Sequence, residues 1–230
     1  MSAARPRSTR FAALALLLPV LLVLVFAMHL RGLPQFLDFR LHAEPAPPAA
    51  VVRWLVAHGP RRALAQDPHV IAYLALPLFL VTALALHRRG RARRPRASAW
   101  ALAVTATGTI YLGGLFGMWT AFYDGLAHVD ARDVDGATAA FAAMTAPRGA
   151  FLLTTSLAKL AFAGLLLQGL VLWSPAARAR AAALCIALGS ALFLAFWDLD
   201  NWMLVGSVLL LAGLAAGLRA DGKPREGASA

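Results

Sequence analysis

Six stretches of this chain, 11–30, 69–86, 100–122, 149–173, 181–197 and 202–218, are almost wholly apolar, and each runs about 17 to 25 residues, the length a helix needs to cross a hydrocarbon core of about 30 Å. Blocks this long leave few choices. Inside a bilayer every backbone N–H and C=O must be satisfied within its own segment, so such a run becomes a helix. With 60% hydrophobic and 14% charged residues, the chain is too apolar for a water-soluble domain. The expected fold is therefore an all-α integral membrane protein: one domain over 11–218, a bundle of six transmembrane helices, and no separate soluble domain.

Local signals mark the ends of the blocks. Asp67-Pro68 reads as an N-cap followed by proline in the first turn, Ser98 as a cap for the third span, and Ser174-Pro175 as a restart before the fifth. The stretch FWDLDNWM between the last two blocks reads as a hairpin tip, because one helix over 180–219 would be about 60 Å long, twice the hydrocarbon core.

Arginine is confined mainly to one side of a six-span arrangement. RPRSTR, HRRGRARRPR, ARAR and RADGKPR alternate with connections rich in aspartate, and this asymmetry accounts for most of the net charge of +11. By the positive-inside rule the arginine side is cytoplasmic and both termini lie inside. The preference for arginine over lysine and the abundance of alanine suggest a GC-rich bacterial genome, so a bacterial inner (plasma) membrane is expected. The basic loop is then a topology signal with an affinity for anionic lipid, and no nucleic-acid partner is expected. Residues 1–10 form a basic N-terminal segment and 219–230 a disordered tail. The first span lacks a small-x-small cleavage pattern after it and is expected to stay as an anchor.

The connections on the acidic side are the longest. In 31–66, Val51, Val52, Trp54, Leu55 and Val56 are too few to span and predict a short helix in the interface; 124–148, with its alanine-rich GATAAFAAMTAP, predicts another. The two halves of the chain show no internal repeat, so an inverted-repeat transporter has no support.

One charge lies inside a block. Lys159 is placed near the bilayer midplane, where an unpaired ammonium costs about 2.5 to 3.5 kcal/mol. Its side chain leans toward the helix N-terminus and so toward the acidic side, past Thr155. There Asp198 and Asp200, bracketed by Trp197 and Trp202, are the expected partners. Tyr111 and Ser190 lie at the depth of Lys159 and can accept hydrogen bonds from it without neutralising it. This polar set reads first as a structural ion pair fixing the fourth span against the last hairpin, and second as a substrate or proton site. Gln168 falls on the opposite helix face and is expected to bond a neighbouring helix.

Gly113 and Gly117, and again Gly213 and Gly217, are four apart and predict close helix packing, inside the bundle or at a homodimer face. His29 and His69 sit at matching depth, as an axial pair for a haem would. Haem-free interfacial histidines are the commoner case, and no cofactor is expected. His42, Glu44, His58, Asp124 and His128 follow no metal-site spacing, so no metal is expected. The single Cys185 excludes an intramolecular disulfide and a thiolate cage. Phosphate-loop, HExxH, GxSxG and CxxC patterns do not occur.

The architecture resembles that of small six-span bacterial membrane proteins, and no residue role carries over from them. Function is expected to be that of an accessory or interaction protein, its partners the lipid bilayer and another membrane protein or a second copy, and an enzyme is not the leading expectation. Two alternatives stand beside it: a small-solute carrier or channel using Lys159 with Asp198 and Asp200, and a membrane enzyme or redox subunit using the histidines and carboxylates of the acidic side.

Overall fold

The computed structural model describes residues 6–32, 47–66, 68–146, 148–197 and 199–219. Among these the chain is helical, with no strand: α1 (Pro6–Gly32), α2 (Pro48–Gln66), α3 (Pro68–Leu74), α4 (Leu76–Gly90), α5 (Pro95–Ala127), α6 (Val134–Thr145), α7 (Gly149–Ala158), α8 (Leu160–Val171), α9 (Ala177–Ala195) and α10 (Asp200–Arg219). Five helices are long and apolar enough to cross a membrane, and a sixth crossing forms if α3 and α4, bent by 46°, count as one span. The bend has a local cause. Pro77, in the first turn of α4, has no N–H for the carbonyl of Tyr73 and its ring crowds that carbonyl.

The crossing helices close into a ring in chain order. α1 packs on α4, α4 on α5, α5 on α8, α8 on α9, α9 on α10, and α10 returns to α1. Leu18, Leu22, Phe79, Leu112, Phe162, Phe193 and Leu210 fill the interior. The outside is apolar too, with Trp100, Ile110 and Leu74 exposed by 72%, 75% and 70%. A chain hydrophobic on both faces is dressed for lipid.

The ends of the helices correct some of the expected signals. Pro95 opens α5 with Arg94 before it, so Ser98 caps nothing; it is buried one turn in, where its hydroxyl meets Nδ1 of His87 at 2.9 Å. The apolar run of α5 was expected over 100–122, yet the helix has 33 residues, about 50 Å at 1.5 Å per residue, and overshoots the hydrocarbon core. The hairpin forms as expected: helix ends at Phe196, whose φ of −120° and ψ of 41° leave the helical region, and resumes at Asp200.

The overshoot of α5 carries a cap. Of the two helices expected in the acidic-side connections, α2 packs on the C-terminal end of α5 and on α6, whose Phe141 ring reaches Trp119 and Phe122 of α5. Val52, Leu55, Leu126 and Phe141 bury a small core of their own there. α2 is kinked at Gly59, whose φ of 68° favours a residue without Cβ, and Gly149 enters α7 with a φ of 59°. The cap therefore roofs one end of the ring, called here the acidic end; the opposite one, with Arg88, Arg89, Arg94 and Arg178, is the arginine end.

Candidate functional site

Between the ring and the cap lies a cavity of about 590 Å³. α1 contributes Phe26 and His29, α3 His69, α5 Phe116, Trp119 and Tyr123, α7 Phe151 and Thr155, α8 Phe162, and the last hairpin Trp197, Asp200 and Met203; Pro48, Val51, Phe141 and Thr145 close it from the cap. The walls are largely aromatic rings in mutual contact. Trp119 meets Phe151 edge to face at 6.1 Å and Tyr123 at 5.3 Å, and Phe162 meets Trp197 at 6.1 Å. Such edge-to-face contacts hold each ring in place, so the cavity is shaped by side chains that support one another.

Its polar groups come from different helices. Nδ1 of His29 stands 3.4 Å from Oδ1 of Asp200, with the two side chains 16% and 11% exposed. That distance is ion-pair range, yet Nδ1 makes no hydrogen bond. The rings of His29 and His69 touch edge to face at 5.1 Å, and His69 is stacked on Trp119 at 5.7 Å and 18°. On α7 the hydroxyl of Thr155 is buried with no hydrogen-bond partner. Buried polar atoms of this kind cost about 1 to 3 kcal/mol each when nothing meets them, which makes them informative in a cavity.

Lys159 lies one helical turn below Thr155, where the single residue between α7 and α8 keeps helical angles. Its ammonium sits 5.5 Å from the ring centre of Trp197, a cation–π contact. The structure thus places three of the residues singled out from the sequence around one wall: Thr155 and Asp200 on the cavity, Lys159 behind it against Trp197. Asp200 meets His29, and Asp198 lies outside the described residues. Tyr111 and Ser190 are not brought in. Tyr111 is 37% exposed on the outside of the ring, and the buried Ser190 hydroxyl donates to the carbonyl of Ile186 in its own helix. Depth alone had grouped them with Lys159, and helix rotation separates them.

The remaining candidates sort by geometry. Direct contact between His29 and His69 leaves no slot between the rings for a macrocycle. His58 stacks on Trp54 at 4.4 Å, and Nδ1 of His128 bonds the carbonyl of Asp124 at 2.8 Å. His42 and Glu44 lie outside the described residues, among which no group of three or more His, Cys, Asp or Glu is arranged to hold a metal ion. Gln168 donates to the carbonyl of Ser98 on α5 at 3.3 Å.

Glycines set how closely the helices approach. A Cβ on Gly213 would stand 2.8 Å from the carbonyl oxygen of Ala182, whereas one on Gly113 would come within 3.2 Å of Leu76 only, and those on Gly117 and Gly217 would make ordinary contacts with Tyr73 and Ala182. The tightest approaches fall elsewhere: a Cβ on Gly108 would overlap the backbone of Leu160 and Ala161, and one on Gly164 that of Thr105, while Gly189 and Gly206 face each other across α9 and α10. Spacing within one helix did not reveal these, because each depends on the partner helix.

The cavity's aromatic wall was likewise missed by the sequence reading, although Trp119, Tyr123, Phe151 and Phe162 recur at about helical spacing within their spans. No family model, curated protein or solved structure matches the chain.

Proposed function

We propose that this is a multi-pass protein of a bacterial inner membrane whose arginine end is cytoplasmic and whose acidic end faces outward, and that it binds a small lipophilic molecule in the capped cavity. The observation that carries the reading is the cavity itself: about 590 Å³, walled by aromatic rings, with His29, His69, Asp200 and Thr155 as its few polar groups. Ligand sites have this composition and occupy about 300 to 1,000 Å³. The expectation of a pure interaction protein rested on the lack of visible chemistry in the sequence, and the cavity supplies some. Toward the arginine side α5 and α8 meet backbone to backbone at Gly108 and Gly164, and α9 and α10 meet in the same way at Gly189 and Gly206, which favours a binding protein over a channel.

Binding is tested with N-phenyl-1-naphthylamine added to the protein in nanodiscs. A saturable, one-to-one rise in probe fluorescence is expected. It should be lost in Ala72→Phe, which sends a ring into the cavity, and kept in Ile110→Phe on the outer face of the ring. An identical, unsaturable signal in all three proteins overturns the reading. The orientation has its own test: in a Cys185→Ser background, Arg91→Cys and Asp133→Cys should react with an impermeant maleimide from opposite sides of the membrane, and labelling from the same side refutes the arrangement.

A further inference from the structure

We infer that the cavity takes a membrane quinol or quinone, a flat six-membered ring with oxygens at opposite edges and an apolar tail. This rests on the binding function proposed above and names its ligand class.

Shape is the first ground. Trp119 stacks on His69 within 18° of parallel, and Phe151 and Phe162 supply further faces and edges in the same space. Aromatic faces and edges of this kind favour a planar ring, which lies against them with more of its surface than a branched group does.

The distribution of polar groups is the second. His29 Nδ1 on α1 and the Thr155 hydroxyl on α7 are both buried without a hydrogen bond, and both line the cavity. They belong to helices that are not neighbours in the ring, since α1 packs on α3, α4 and α10 while α7 packs on α5. A ligand polar at one end only, such as a fatty acid or an alkyl amine, meets one of them and leaves the other bare. A ring with oxygens at two edges meets both.

Charge is the third ground. The cavity holds the Asp200 carboxylate beside the His29 imidazole, and the Lys159 ammonium lies behind Trp197. A carboxylate ligand would face the Asp200 carboxylate, a like charge at the cavity wall. A neutral ligand whose oxygens change between carbonyl and hydroxyl avoids that repulsion. An imidazole standing beside a carboxylate serves it in both forms, donating N–H to a carbonyl or accepting the proton of a ring hydroxyl, while the Thr155 hydroxyl donates or accepts as required. No electron transfer is assigned to the chain; the site holds and hydrogen-bonds the ring.

The experiment holds the tail constant and varies the head. Decyl-ubiquinone, decyl-ubiquinol, decanoate and decyltrimethylammonium compete with N-phenyl-1-naphthylamine for the full-length protein in nanodiscs. One of the two ring compounds should displace the probe at a concentration about tenfold or more below that of the other heads, a hydrogen-bond pair's difference. Asp200→Asn and Thr155→Val should each weaken the ring compound by about fivefold to tenfold and leave decanoate unchanged, the fold of each variant being verified by its gel-filtration profile and thermal midpoint. Equal competition by all four heads, or preference for decanoate or the ammonium, overturns the ligand class while the binding function stands. Failure of the probe itself to bind overturns both.

Discussion

Along the line where α5 meets the span formed by α7 and α8, the two halves of the protein are built differently. In the arginine half the helices touch through Gly108 and Gly164, with Thr105 lying directly against Gly164. In the acidic half the same pair packs through the rings of Trp119 and Phe151. Thr105 and Thr109, beside the glycine contacts, donate to the carbonyl four residues back in their own helix, as Ser190 and Ser207 do where α9 meets α10. On the cavity the Thr155 hydroxyl has no hydrogen bond, and Nδ1 of His29 has only the 3.4 Å approach to Asp200. Small residues bring α5 and α8 together in one half, and large rings make room in the other.

Matched insertions probe the contrast most strongly. Gly108→Leu should cost about 4 kcal/mol or more, since its Cβ would overlap the backbone of α8 and the two helices must part. Ala72→Phe, the comparable addition at the cavity wall, should cost about 1 kcal/mol or less because empty space receives the ring. Thermal midpoints in detergent compare them, and equal losses would end the distinction between the halves.

A double-mutant cycle sharpens the picture at the cavity. His29→Ala and Asp200→Asn should couple by about 1 to 2 kcal/mol, as groups in one buried polar contact do. Lys159→Met should couple with Trp197→Leu by about 0.5 to 1 kcal/mol, the range of a cation–π contact, and less strongly with Asp200→Asn. Should Lys159 and Asp200 couple more strongly than His29 and Asp200, the ion pair expected from the sequence is the dominant one.

The smallest effect is also the most pointed. Thr155→Val removes a buried hydroxyl that has no partner and keeps the volume, so the ligand-free protein should become slightly more stable, by about 1 kcal/mol at most. A loss of more than about 1 kcal/mol would mean that the hydroxyl is already bonded, and that the cavity's polar atoms resemble those of the packed half.

The spans were legible because each is a local statement. An apolar block of this length has one way to satisfy its backbone in lipid, so 11–30, 149–173 and 202–218 fall within a few residues of α1, the α7–α8 span and α10. The hairpin at Phe196 was legible for the same reason, through length alone. Less of the site was legible. Lys159, Thr155 and Asp200 could be singled out because charge and depth are written along the chain, and so could His29 and His69.

What tertiary structure alone decided is which of them meet. Rotation of each helix about its axis turned Tyr111 and Ser190 away and turned His29 toward Asp200, residues 171 positions apart in the chain. The overshoot of α5 gave α2 and α6 a place to pack, and with them a roof. The sequence by itself determined the apolar spans and the segregation of charge, because backbone hydrogen bonding and hydropathy act within a segment. The cavity and its polar set arise from side chains on separate helices brought face to face, and no one segment contains that information.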